Sequence, residues 1–188
     1  MYRYLAILSS EVFWPEWHAG VVTTQSGAEP ALLTAVVERG TFTLRHARKG
    51  DVPRILELLV DDQLGATRET VDDLVPYERA FDAIDADPAH LLVVGELGGE
   101  VVATFQVSYI PGLSRKGSWR AQIEAVRVSD ALRGQGVGAL MIQWAIDQAR
   151  ERGCSLMQLT TDKSRVAAHR FYERLGFVAS HEGMKLTF

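Results

Sequence analysis

Three glycines within five residues, set behind an arginine, mark the stretch Arg133-Gly134-Gln135-Gly136-Val137-Gly138. Glycine lets the main chain approach a ligand closely because no Cβ stands in the way. When such a turn opens a helix, its free N–H groups and the positive end of the helix dipole converge on one place, which favours an anion and most often a phosphate. The chemistry this stretch predicts is therefore the holding of a phosphate-bearing ligand at residues 133–139. A second group that could do chemistry is Glu124, nine residues before Arg133 in the strand-like run Ile123-Glu124-Ala125-Val126-Arg127-Val128. A carboxylate among apolar strand residues is either ion-paired or functional. The bland alternatives are an ordinary strand-to-helix turn and an ion-paired acid.

The helix after the turn is predicted by periodicity. Leu140, Met141, Trp144 and Ala145 recur at helical spacing, and Gln143, Asp147, Arg150 and Glu151 form a narrow polar stripe. A stripe that narrow belongs to a helix covered over most of its circumference. Gly153 stops it, after cations in the last turn.

Two kinds of site could own the turn. Gly134-x-Gly136-x-x-Ala139 fits the dinucleotide pattern G-x-G-x-x-G/A, with Asp162 downstream as a ribose partner. In that fold the strand leads directly into the first glycine, whereas Ser129-Asp130-Ala131-Leu132-Arg133 intervene here, and too little chain remains for further strand–helix units. The other owner is an acetyl-CoA site. Arg133-x-x-Gly136-x-Gly138 matches the R/Q-x-x-G-x-G/A signature of the GNAT superfamily of N-acetyltransferases, and His169-Arg170-Phe171-Tyr172-Glu173-Arg174-Leu175-Gly176-Phe177 resembles that superfamily's C-terminal F-Y-x-x-x-G-F element. The resemblance runs from about Thr41 to Phe188. It implies an α/β (α+β) fold whose central mixed sheet is flanked by helices and splays between two strands to admit the cofactor arm.

Acetyl transfer from a thioester to an amine requires that the cofactor be held, the amine lose a proton, the oxyanion find a donor and the thiolate leave. By resemblance, Arg133, Gly134, Gln135, Gly136, Val137, Gly138 and Ala139 hold the pyrophosphate of acetyl-CoA. The backbone of Val126 and Val128 bonds the amide-rich pantetheine as an added strand would, with an amide near Val126 facing the thioester oxygen. Tyr172, a phenol neutral at pH 7, protonates the departing thiolate; without the resemblance it reads as core. Glu124 takes the amine proton, directly or through a water, with His169, one helical turn before Tyr172, as the second candidate. Where the family often has Asn, seven residues before the tyrosine, this chain has Arg165, so Lys163, Ser164 and Arg165 are expected to meet the adenosine phosphates. These roles call for no metal. The acceptor is expected to be a primary amine on a small molecule. The loop 61–68, the strand residues Gln106, Ser108 and Tyr109, and the loop 111–117 would wall its site, and Asp61, Asp62 and Glu69 would attract a cation. A non-catalytic acyl-CoA-binding sensor or subunit is the reading from another class.

The remaining elements follow from local signals. Strands are expected at 41–45, 91–97, 101–110, 119–129 and 156–160, with a hairpin at Gly98-Gly99. One helix is expected to be capped by Asp51, a second to span 69–84, and a third to be capped by Ser164 and stopped by Gly176. Short strands at 177–180 and 184–188 would close the sheet.

Composition sets the outer bounds. The chain has 188 residues, 47% hydrophobic and 23% charged, with a formal net charge of -4, values ordinary for one globular domain with a short extension. No lysine–arginine run suggests a nucleic-acid or anionic-membrane partner. Cys154 is the only cysteine, so no intrachain disulfide forms and a reducing compartment fits. The start lacks the features of a signal peptide and no apolar run spans a bilayer, so a cytoplasmic location is expected. Residues 1–40, with Phe13, Trp14 and Trp17, are expected to lie outside the domain at 41–188. They form either a poorly ordered extension or an aromatic arm docking on a partner subunit of a homodimer.

Overall fold

The computed structural model describes residues 30–61 and 70–188. The aromatic cluster at 13–17, and the expected loop beyond Asp61, lie outside the described residues. Six strands form one sheet in sequential order: β1 (Leu33–Val37), β2 (Gly40–His46), β3 (His90–Leu97), β4 (Glu100–Pro111), β5 (Trp119–Val128) and β6 (Cys154–Leu159). Neighbouring pairs are antiparallel except β5 and β6, which are parallel and joined through helix α4 (Val137–Glu151). A parallel pair needs such a crossover, whereas antiparallel pairs need only turns. Gly98 and Gly99, both at positive φ (61° and 84°), form the predicted two-residue turn between β3 and β4.

The two faces of the sheet carry different cores. One holds Phe105, Val107, Tyr109, Ala121 and Ile123, covered by Val137, Met141, Ile142, Trp144 and Ala145 of α4, with Phe105 and Trp144 meeting edge to face at 5.9 Å. Fully burying a side chain of this size contributes about 1.5–3 kcal/mol. The other face holds Val94 and Val101 under α1 (Val52–Val60) and α2 (Val75–Asp85). Gly95 is needed for the close approach of Phe42, since a Cβ there would overlap the Phe42 ring.

Several expectations are corrected. The strand expected at 41 begins at Gly40 and is the second of the sheet. The boundary expected at 41 falls inside the β1–β2 hairpin, and Val37 is buried in the main core. Asp51 does not cap α1 with its side chain. Its carboxylate instead accepts two bonds from buried Arg45 (2.6 and 3.0 Å) and one from the Arg48 amide (2.7 Å), so a tertiary ion pair outcompetes the local cap. Helix α2 starts at Val75, with the Val75 amide held by Asp73 Oδ1 at 3.0 Å. The strands expected at 177–180 and 184–188 do not form, and Val178, Met184, Leu186 and Phe188 are exposed. In the loop 111–117, the short turn α3 (Ser114–Gly117) holds Arg115 and Lys116 in left-handed backbone.

Candidate active site

The sheet opens between β5 and β6. Parallel pairing runs from Trp119–Cys154 to Ile123–Leu159, but β5 continues to Val128. Beyond Ile123, the edge of β5 facing β6 has no ladder partner, and residues 124–128 border a gap. A bulge lies at the same place: Gln106 pairs with Glu124 and Thr104 with Arg127, so Ala125 and Val126 stand opposite Phe105 alone. Ala125 sits at φ 54°, a left-handed conformation costing an L residue roughly 1–2 kcal/mol. Bulges bend a strand and re-aim its side chains, which here separates β5 from its parallel neighbour. Nothing in the residue types Glu124-Ala125-Val126 announces the bulge.

The predicted turn leads into α4. Gly134 and Gly136 have φ 78° and 81°, so they are needed first for their backbone conformation; a Cβ on either would meet nothing within 4 Å. Gly136 is the N-cap of α4 and supplies no side-chain cap. The first intrahelical bond is from the Leu140 amide to Gly136 O at 3.1 Å, leaving the preceding amides, through Val137, Gly138 and Ala139, as the helix's unpaired first-turn donors. Gln135 is turned inward, its Nε2 donating to Ala131 O at 2.9 Å. Arg133 pairs with Asp130 at 2.5 Å, both side chains exposed. A Cβ on Gly138 would lie in ordinary contact with Phe171 at 3.4 Å and Val128 at 3.8 Å, which places both side chains beside the start of α4.

Helix α5 (Val166–Arg174) packs Phe171 and Tyr172 against the core that includes Val126 and Val128, with the Phe171 ring beside Gly138 at the start of α4. Ser164 is not its cap. The Ser164 amide and hydroxyl both donate to Asp162 Oδ1, at 2.9 and 2.6 Å, and Arg165 takes the N-cap position without capping the helix through its side chain. Lys163 pairs with Glu182 at 3.0 Å. His169 Nε2 lies 3.1 Å from Asp162 O. A carbonyl only accepts, so this nitrogen carries the proton and is spent tying down the 162–165 loop. Tyr172 is partly buried between Phe171 and Phe177, with ring centroids 5.1 and 5.7 Å away. Burial pushes the Tyr172 phenol above its usual value, against the opposing pull of the Arg165 and Arg127 charges. It therefore remains protonated at neutral pH.

On β5, Glu124 is exposed and accepts a 2.8 Å bond from Gln122 Nε2. The expectation of an apolar strand on both sides is corrected: Ala121 and Ile123 face α4, while Arg120, Gln122 and Glu124 alternate onto the other side. Val126 and Val128 pack against the main core, and Val126 O accepts from Arg127 Nη1 at 2.9 Å. Tyr109 does not wall an acceptor site; it is buried on the α4 face with Arg152 4.2 Å over its ring. Ser108 bonds His90 Nδ1 at 2.8 Å. Burial pushes the Cys154 thiol up, which makes it a poor nucleophile. A cleft of about 540 Å³ lies beside the end of β5, lined by Arg54, Glu57, Leu58, Val60, Asp61, Val71 and Ser129. Sequence reading had singled out Asp61 from this set but not Glu57 or Ser129. Among the described residues no cluster of metal-ligating side chains forms, and no helix is long and apolar enough to cross a membrane.

Residues 52–177 match the model of the Acetyltransferase (GNAT) family. The chain is 29% identical over 138 residues to an aminoalkylphosphonate N-acetyltransferase of Salmonella typhimurium, covering 73% of this chain and 86% of that one. It is 30% identical over 149 residues to an L-methionine sulfoximine/L-methionine sulfone acetyltransferase of Pseudomonas paraeruginosa, covering 73% and 81%. A solved structure from Bacillus halodurans C-125, described as a transcriptional regulator, superposes with a TM-score of 0.76 at 50% identity, covering 78% of this chain and 99% of that one. A parted parallel strand pair, a glycine turn without a side-chain cap at the start of α4 and a tyrosine packed between two rings accompany a family match over most of the chain: this protein is a member of the GNAT acetyltransferase family.

Proposed function

We propose that this enzyme transfers an acetyl group from acetyl-CoA to a primary amine of a small molecule by direct attack, without an acyl-enzyme. The observation that carries the proposal is the gap beyond Ile123 and Leu159, bordered by the uncapped start of α4 and by Tyr172. The amide donors of 136–139 take the pyrophosphate, and pantetheine lies along the free edge of β5 near Val126 and Val128. The amine nitrogen attacks the thioester carbon, and an amide near Val126 faces the oxyanion. The amine proton passes to Glu124, directly or through a water. The C–S bond breaks, and the thiolate takes the proton of Tyr172. With its Nε2–H donated to the Asp162 carbonyl, His169 would have only Nδ1 with which to take a proton. The small-molecule acceptor is supported by the two relatives whose names specify aminoalkylphosphonates and methionine derivatives. Asp61 in the adjoining cleft suits an ammonium group, while Glu57 beside it is already paired with Arg54.

The test is acetyl-CoA turnover over a panel of amines that includes aminoalkylphosphonates, amino acids and polyamines, with thiol release as readout. Acetylated product with one class is the expected result. A second reading is favoured by one finding, the Bacillus halodurans relative described as a transcriptional regulator. A non-catalytic acyl-CoA sensor would bind acetyl-CoA and release no thiol with any amine.

A further inference from the structure

We propose that Gln122 and Gln158 are positioning residues that hold the Glu124 carboxylate at the mouth of the gap. The inference rests on the reading of Glu124 as the base. Gln122 and Glu124 are two residues apart on one strand and share a face. Gln158 is the register partner of Gln122 in the parallel pair, one rung before the last, Ile123–Leu159. Glu124 is thus the first residue past the point where the strands part, and the two glutamines stand on the last stretch where both strands are fixed.

The bonds run in one direction for a chemical reason. Glu124 Oε1 lies 2.8 Å from Gln122 Nε2, and Gln122 Oε1 lies 2.8 Å from Gln158 Nε2. A carboxylate only accepts, so Gln122 must present its NH2 group to Glu124. Its carbonyl oxygen then faces Gln158, which must in turn donate. Gln158 therefore sets the orientation of the Gln122 amide, and Gln122 occupies Oε1 of Glu124. Oε2 is left for the amine or its water. An exposed glutamate otherwise samples many rotamers, and the entropy cost of fixing it is met here in the folded protein before substrate arrives.

The same row continues on the other side of Gln122. Ser108 is its register partner on β4, His90 pairs with Ser108 on β3, and Asp87 lies 3.8 Å from His90. Other ionisable groups bordering this face are Arg120 and Arg127 on β5 and Arg54 and Glu57 on α1; the α5 region adds Arg165, whose charge acts on Tyr172 together with that of Arg127, and His169, bonded to Asp162 O. Opposite Glu124 itself, β4 presents the uncharged Gln106.

The experiment uses Gln122→Met, Gln158→Met, their double variant and Glu124→Gln in the full chain. All three sites are at least partly exposed, so the fold tolerates them. Without any acceptor, the Gln122 side-chain amide signals in 1H–15N spectra should move in both Glu124→Gln and Gln158→Met; signals unmoved in both overturn the proposal. With acetyl-CoA and the amine that turns over fastest in the panel, Gln122→Met should lower kcat about three- to tenfold, leave KM for acetyl-CoA unchanged and move the acid limb of kcat/KM to higher pH. Gln158→Met should do the same to a smaller extent, and the double variant should match Gln122→Met alone, because the residues act in series. Additive losses overturn the series. A Glu124→Gln profile parallel to wild type removes Glu124 as base, and the proposal with it. A changed Glu124→Gln profile beside silent glutamine variants leaves the base in place and overturns only the positioning.

Discussion

The ring of Phe177 meets the ring of Tyr172 edge to face, 5.7 Å between centroids, because the chain reverses at Gly176. With Gly176 at φ 89°, the Phe177 amide reaches Tyr172 O at 3.1 Å and the Gly176 amide reaches Glu173 O at 3.0 Å. These are the two bonds of a Schellman C-cap, and the ring contact is its usual hydrophobic partner. The spacing F-Y-x-x-x-G-F is thus a mechanical unit that holds the phenol from both sides.

Tyr172→Phe removes one oxygen from this unit and leaves its packing. As general acid, the phenol accounts for about a hundred- to ten-thousand-fold in rate. The expected variant keeps its thermal midpoint and acetyl-CoA affinity while kcat falls by that order. Near-wild-type turnover under conditions where chemistry limits the rate would return Tyr172 to a purely structural role. Because burial raises its pKa, any alkaline loss of activity from this group should come at higher pH than for a free phenol.

Gly176→Ala tests the same unit from its backbone. An L residue at φ 89° is strained by about 1 kcal/mol or more. Urea denaturation should report that loss. kcat should fall more than acetyl-CoA binding, since the ring contact is displaced while the start of α4 is untouched.

Gly136→Ala probes the cofactor turn. Its Cβ meets no protein atom, so the change adds only backbone strain at φ 81° of about 1–2 kcal/mol and a methyl group on the surface offered to phosphate. Calorimetry should show acetyl-CoA binding weakened at least tenfold. Unchanged affinity in a folded Gly136→Ala protein would falsify phosphate binding at this turn.

Arg45 and Asp51 predict an acid-sensitive fold. Burial pushes the Asp51 carboxyl up, but the bonds from Arg45 and the Arg48 amide outweigh it and leave the carboxyl below its usual range. The native state therefore holds fewer protons than the unfolded chain in that interval. The stabilisation is complete above the unfolded value of about 3.9 and fades as pH falls through the folded one. Asp51→Asn should cost about 1–3 kcal/mol at pH 7. Denaturation curves of the two proteins should draw together at the acid end.

Deletion series should separate the extension from the sheet. A chain starting at residue 30 is expected to keep kcat/KM. One starting at 41 loses β1 and the buried Val37, about 1.5–3 kcal/mol from that side chain alone, and should melt lower. A large loss of kcat/KM in the first would place residues 1–29 in the site or in an essential interface.

The sequence by itself determined the elements whose causes are local. Helix α4 was legible from its polar stripe and its glycine entry, the β3–β4 hairpin from Gly98-Gly99, and the tyrosine unit from Phe171, Tyr172, Gly176 and Phe177. In each, the residue types carry the period, the turn or the cap. Tertiary structure decided what depends on partners distant in sequence. Ala125 is left-handed because two strands must part, and alanine has no preference that reports it. Asp51 left its cap for Arg45, and Ser164 was claimed by Asp162, since short polar side chains bond whichever donor the fold brings nearest. The apolar alternation at Met184, Leu186 and Phe188 reads as a strand, yet a strand forms only with a partner edge, and pairing of the sheet ends at β6. The row from Gln158 through Gln122 to Glu124 is the clearest case: residues 36 positions apart become neighbours only through the register of a parallel pair, which no local pattern encodes.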